Sequence, residues 1–401
     1  MSSDSKFEAS ASALGYAYQF RYSLHRALEK IQTTGLDWSI SIESADDVEI
    51  IDGAGRELRQ LKLRKEGVQL TDYSTDLWKT LRIWSDGIFK KTIVTSETTL
   101  YLITTAELTP DSAGYFLQPD EAKRDINKAK ECLDTAAKKT KNQELKKAVE
   151  AYGKLTDQTK LDLLNSVHVL AKSDDNDAVL ERIKKFFRVG TRGNHLDYIM
   201  QRLEGWWFQQ CMDCMAGKRD GINAADLDAF TMELRDQLRP DNLPIDSAIA
   251  SELQVDLDKF FDRIFYHQLS WASISAKRIQ TAVRDYLRAY TQRSQWLRHG
   301  LVLPGEIDQF ERRLVEEWEI VFDRIADEIS PEAAEAEKIA AAKEVYRWVE
   351  QAFPAPIRPN CTEPFVTRGS YHLLADEQRV GWHPEYVAKL IALLEPVSES
   401  V

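Results

Sequence analysis

Hydrophobic residues change period once along this chain. Up to about Pro119 stretches of alternation and of helical spacing are interleaved, and beyond it almost every apolar stretch recurs at helical spacing. In "GYAYQFRYSLHRALEKI" (15–31), Tyr18, Tyr22, Leu24, Leu28 and Ile31 fall near one face of a helix. Two alternating runs follow, "WSISIE" and "VEII". The "DGAG" at 52–55 then offers the positive-φ positions a tight turn needs before "ELRQLKLR", so three antiparallel strands are expected. "STDLWKTLRIWSDGIFK" (74–90) reads as a helix capped by Ser74 or Thr75, and "TTLYLITTA" (98–106) as a buried strand.

The remainder reads as all helix. The prolines of "RPDNLPID" (239–246) mark a boundary. "SPEAAEAEKIAAAKEVYRWVEQAF" (330–353) has a cap, a proline at the first helical position and a stop at Pro354. The expected class is α+β: an α/β domain over residues 1–120, a helical extension over 121–240 and a helical C-terminal domain over 247–401. No internal repeat is evident.

Composition narrows the setting. With 401 residues, 43% of them hydrophobic, the chain buries a real core and is globular. No apolar run approaches the roughly 20 residues needed to span a bilayer, and the N-terminus lacks the basic flank and apolar block of a signal peptide. Four scattered cysteines do not make a disulfide framework, so a cytoplasmic location is expected. A net charge of -12 argues against broad electrostatic capture of nucleic acid. Any contact with DNA must be local, metal-assisted or delivered by a partner.

Candidate chemistry lies in "SISIESADDVEIIDGAGRELRQLKLRK" (39–65). Alternation projects Gln60 and Lys62 from one face of a strand, toward acids at the end of the first strand and the start of the second. Glu43, Asp46, Asp47, Gln60 and Lys62 are therefore expected to converge. Mg²⁺ prefers hard oxygen ligands and keeps several waters, so Asp47 with the Gln60 carbonyl is a sufficient holding pair. A lysine within reach of the attacking water can orient or deprotonate it and balance charge on the phosphate. A solvated surface hairpin is the plainer reading of the same residues.

With "QLK" as its last motif, the hairpin resembles the PD-(D/E)xK nucleases of the restriction-endonuclease-like fold, in the variant where glutamine replaces the acid. More narrowly, "GYAYQF", "IESADD" and "QLKLR" in this order look like the effector nucleases of bacterial anti-phage systems related to the second-messenger-controlled Cap-type endonucleases. The resemblance implies metal ligands at Asp47 and Gln60, further ligands at Glu43 and Asp46, a catalytic Lys62, and Gln19 reaching the site from the first helix. It implies Mg²⁺ as cofactor, with Mn²⁺ able to substitute. "RLEGWWFQQ" (202–210), residues 265–300 and "RGSYHLLADEQRVGWHPEY" (368–386) look like the C-terminal portion of effectors in three-component ABC ATPase systems, the nearest named group being the nuclease subunits of Lamassu-type systems.

That resemblance implies a double-stranded DNA endonuclease held by an SMC-like or Rad50-like ATPase and a small accessory subunit, and released or homo-oligomerised to act. The alternative is a non-catalytic docking subunit with a decayed nuclease fold. Trp382, Tyr371 and Tyr386, with the arginines of the basic run 271–298, are expected to form a partner-docking surface. Closure of a helical core explains the same aromatics. Cys211 and Cys214 sit one helical turn apart and, with His195, suggest zinc, but the fourth ligand is missing.

Overall fold

The computed structural model describes residues 3–189, 191–192, 195–251, 255–351 and 355–394, with side chains from residue 12 onward. The chain forms two compact units, one of residues 1–191 with 196–232 and the other of residues 192–195 with 233–401.

In the first unit α1 (Ser3–Thr34) leads into β1 (Trp38–Ile42), β2 (Val48–Asp52) and β3 (Gly55–Lys62), all antiparallel neighbours. Gly55 has φ +142° in the β2–β3 turn, where the Asp52 carboxylate accepts from the amides of Ala54 and Gly55. The short β4 (Gln69–Leu70) precedes α2 (Thr75–Phe89), and β5 (Thr98–Thr104) returns parallel to β3. The short β6 (Glu107–Leu108) pairs with β4, away from the main sheet. Then come α3 (Ala113–Phe116), α4 (Ile126–Lys139), α5 (Lys146–Gly153) and α6 (Asp157–Ser166).

The stretch 121–240, expected to be a helical extension, is not separate from the sheet. β7 (Val167–Leu170) runs parallel to β5, and β8 (Ile222–Asn223) pairs antiparallel with β1, giving the order β7-β5-β3-β2-β1-β8. Each outer strand covers an edge that would otherwise expose unpaired backbone groups. The two are joined by α7 (Asn176–Arg188) and α8 (Leu196–Met215). The class is thus α+β as expected, but the sheet-bearing unit extends well past residue 120.

Residue alternation along β3 assigns its faces. Leu58, 0% exposed, packs with Leu100 and Leu102 of β5 and with Leu77, Trp78, Leu81 and Trp84 of α2. Gln60 and Lys62 continue that face. Arg59 points to the opposite face, where its guanidinium donates to the Tyr22 hydroxyl of α1 and lies over the Tyr101 ring. Burying side chains of this kind stabilises by about 2 kcal/mol each, which fixes the strand register and with it the placement of Gln60. Cys211 is buried in α8 and burial pushes its thiol far up, as for an inert core thiol.

The second unit is helical: α9 (Ala224–Gln237) leads into it, followed by α10 (Ser247–Ala250), α11 (Ile264–Trp271), α12 (Ala276–Arg298), α13 (Glu306–Asp327), α14 (Glu335–Gln351), α15 (Pro364–Asp376) and α16 (Tyr386–Leu394). Helix α14 begins at Glu335 rather than beside Ser330, and the expected stop at Pro354 lies outside the described residues. α12 and α15 pack closely because Gly369 carries no side chain: a Cβ there would stand 2.0 Å from the Asp285 carbonyl oxygen.

Several of the residues expected to meet a partner face inward instead. Trp382 and Tyr371 are fully buried, and the Trp318 indole donates to the Gly381 carbonyl and meets the Tyr386 ring edge-on. Arg278 pairs with Glu350, Arg288 donates to the carbonyls of Ala250 and Ser251, and Arg293 pairs with Glu311. Aromatics at helical spacing have closed the core, and these arginines are spent inside the unit. No helix of the described residues is long and apolar enough to cross a membrane.

Candidate active site

The β1–β2 loop turns sharply so that its acids reach the β3 face. Glu43 takes a left-handed conformation, φ +54°, and its amide donates to the Asp47 carbonyl at 3.2 Å. That closure aims Asp46 and Asp47 inward. The two are 6% and 9% exposed, and Gln60, facing them, is 4% exposed.

The Gln60 amide group donates to Asp46 Oδ1 and, at 2.8 Å, to Asp47 Oδ1. Asp47 Oδ2 accepts from the Leu61 amide at 2.7 Å. Lys62 Nζ donates to Gln60 Oε1 at 2.7 Å and lies 3.7 Å from Asp47 Oδ2. A positive charge therefore already stands between the two oxygens expected to face a metal. Asp46 is held from behind, with Oδ2 accepting from the Trp84 indole at 2.8 Å and Oδ1 from the Asp47 amide at 3.1 Å.

The electrostatics follow from burial. Desolvation pushes the Asp46 carboxyl up to about 6, with the Asp47 charge adding to it; hydrogen bonds from Trp84 and Gln60 pull the other way. At the exposed rim, desolvation of its carboxyl and the Asp47 charge raise Glu43, opposed by a hydrogen bond from Gln19 and by Lys62. Gln19 Oε1 is itself buried with no hydrogen-bond partner. An orphaned acceptor beside an acid-rich loop is what a cation or its waters would satisfy.

The structure thus brings Asp46, Asp47, Gln60 and Lys62 together, with Glu43 and Gln19 joined at the rim. It does not assemble the four-ligand set of Asp47, Gln60, Glu43 and Asp46: Asp46 Oδ1 already accepts twice and its Oδ2 is turned to the Trp84 indole, and Glu43 lies at the exposed rim, whereas each Asp47 oxygen accepts one hydrogen bond and keeps a lone pair. Among the described residues no group of three or more His, Cys, Asp or Glu is placed to hold a metal ion. What remains, Asp47 and the Gln60 carbonyl, fits a hard cation that retains much of its water, such as Mg²⁺. Sequence reasoning missed Trp84. Its place on the apolar face of α2 marks it only as core, although a buried indole N–H needs an acceptor.

Residues 265–390 match the model of C-terminal domain 7 of the ABC-three component (ABC-3C) systems. The match lies within the helical C-terminal unit and covers less than half of the chain. No curated protein matches the chain. Among solved structures, the Acinetobacter baumannii Cap4 SAVED/CARF-domain containing receptor is 14% identical over 69% of this chain, with a TM-score of 0.34. The Moraxella osloensis Cap4 SAVED/CARF-domain containing receptor is 16% identical over 68%, with a TM-score of 0.33. The chain covers 60% of the length of each.

Proposed function

We propose that this chain is a Mg²⁺-dependent DNA endonuclease, the effector subunit of an ABC-three component anti-phage defence complex. The observation that carries the reading is the position of Lys62 Nζ, 2.7 Å from Gln60 Oε1 and 3.7 Å from Asp47 Oδ2. Asp47 and Gln60 would hold Mg²⁺, which supplies Lewis-acid charge against a phosphodiester oxygen. Lys62, held as an ammonium, then orients the attacking water, whose proton passes to solvent, and its charge offsets the negative charge that develops on the phosphoryl oxygens. Glu43, at the rim, helps to orient water entering the site. Gln19 fixes Glu43.

One such centre cuts one strand, so double-strand breakage requires two chains facing opposite strands, which homo-oligomerisation provides. The ATPase partner restrains the chain, and release with self-assembly activates it. A specific observation favours the second reading, a non-catalytic docking subunit: a neutral glutamine stands where an acid would bind metal more tightly. Incubating supercoiled plasmid with the purified chain in Mg²⁺ or in EDTA separates the two. Nicking confined to the Mg²⁺ reaction supports the nuclease, and intact plasmid in both supports the docking subunit.

A further inference from the structure

A glutamine in a metal site carries an ambiguity that a carboxylate does not. Its terminal group presents an acceptor at one end and a donor at the other, and the two ends are nearly the same size. Only the acceptor end serves a cation. Whatever stands behind the amide therefore decides whether Gln60 is a ligand or a repulsive group.

The group behind it here is Asp46. Its Oδ1 accepts from Gln60 Nε2, as Asp47 Oδ1 does at 2.8 Å, so the amino end is drawn toward two carboxylates. The carbonyl end is left facing outward, where it accepts from the Lys62 ammonium at 2.7 Å. Asp46 is in turn fixed by the Trp84 indole at 2.8 Å. Trp84, 1% exposed, belongs to the core that joins α2 to the sheet. A carboxylate accepts only, so an ionised Asp46 cannot bond to the amide the wrong way round.

We propose that Asp46, pinned by Trp84, is a positioning residue that orients the Gln60 amide so that its oxygen faces the cation site, rather than a metal ligand itself. This rests on the reading of the hairpin as a metal-dependent centre. It explains why a neutral ligand suffices there, since the orienting carboxylate adds negative charge close behind it. Asp46 and Gln60 then work as a pair: replacing Gln60 with an acid, which offers oxygen in every orientation, removes the need for Asp46.

The test is Mn²⁺ binding, measured by calorimetry and by loss of the free-ion EPR signal, on the full chain as wild type, Asp46→Asn, Gln60→Glu and the double variant. Asparagine is isosteric and still accepts from Trp84, but it can also donate to the Gln60 carbonyl and so weakens the discrimination, leaving Asp47 Oδ1 as the one carboxylate acceptor for the amino end. Asp46→Asn is expected to weaken Mn²⁺ binding by about tenfold or more, the usual effect of removing a group that orients a ligand. In the Gln60→Glu background the same change is expected to alter affinity by less than about threefold. Equal weakening in both backgrounds overturns the proposal, because a direct ligand or a purely structural residue would not depend on position 60. If wild type and Gln60→Glu both fail to bind Mn²⁺, the metal-centre reading falls and the positioning role with it.

Discussion

Lys62 Nζ donates to Gln60 Oε1 at 2.7 Å, two residues apart on the same face of β3. The ammonium is held by the pair of oxygens a metal would share, so the lysine is anchored before any cation or substrate arrives. Replacing Lys62 by alanine is expected to lower phosphodiester cleavage by a factor of about 10² or more. The melting temperature should hold, since Lys62 is partly exposed and Leu58 and Leu61 keep the strand in place. Thermal denaturation beside a cleavage assay checks both halves.

Asp47 is expected to be at least as sensitive. Its two oxygens meet the Gln60 amide and the Leu61 backbone amide, so alanine removes the proposed metal ligand and leaves a buried N–H unsatisfied. Asp47→Ala should therefore abolish cleavage and also cost about 1–3 kcal/mol of stability. Asp47→Asn should spare more of the stability while still losing the activity. Denaturant unfolding of the two variants distinguishes the contributions.

The helical unit makes a prediction about packing. A Cβ at Gly369 would stand 2.0 Å from the Asp285 carbonyl oxygen and 2.6 Å from Ala289 Cβ, both on α12. Helix backbones cannot yield by so much without separating, so Gly369→Ala should destabilise this unit by about 2 kcal/mol or more. Trp382→Ala, which empties a fully buried site, should cost about 3–5 kcal/mol. Truncation after Asn360 removes α15 and is expected to unfold the helical unit, not merely to detach a partner. Calorimetry of each variant tests this.

Acid sensitivity has a defined source in the same unit. His372 is buried among Phe265, Tyr346 and Trp382, and desolvation, helped by the Arg368 charge, pulls its imidazole down to about 3. The folded state therefore keeps it neutral while the unfolded chain takes up a proton below about pH 6.5. Stability from this residue is complete above that pH and is lost as pH falls toward 3, at up to about 1.4 kcal/mol per pH unit. His372→Phe should match wild type near pH 7.5 and exceed it at pH 5. A variant that loses stability in parallel with wild type between these values would contradict the assignment.

The hairpin was legible in the sequence because two signals agreed there, alternation in "WSISIE" and a turn rich in glycine, "DGAG", before "ELRQLKLR". The pleat puts Gln60 and Lys62 on one face, but Asp46 and Asp47 reach that face only through the β1–β2 loop and its left-handed Glu43, which no periodicity encodes. The edge strands were not legible. β7 spans four residues and follows α6 without a break, and β8 spans two, too few for a period to be read. The pairing of Trp84 with Asp46, 38 residues away, is a tertiary relation that no local pattern encodes. The inward turn of Tyr371 and Trp382 was not legible for a related reason: "RGSYHLLADEQRVGWHPEY" has the same spacing whether its aromatics face a partner or the core of their own unit.

The most direct test of the account is the nicking of supercoiled plasmid by the purified chain, followed over time with Mg²⁺, with Mn²⁺ and with EDTA, for wild type, Lys62→Ala and Asp47→Ala. The account expects conversion to the nicked or linear form by wild type in either metal, none in EDTA, and a loss of about 10² or more in both variants. Cleavage by either variant at the wild-type rate, or cleavage that persists in EDTA, would contradict it.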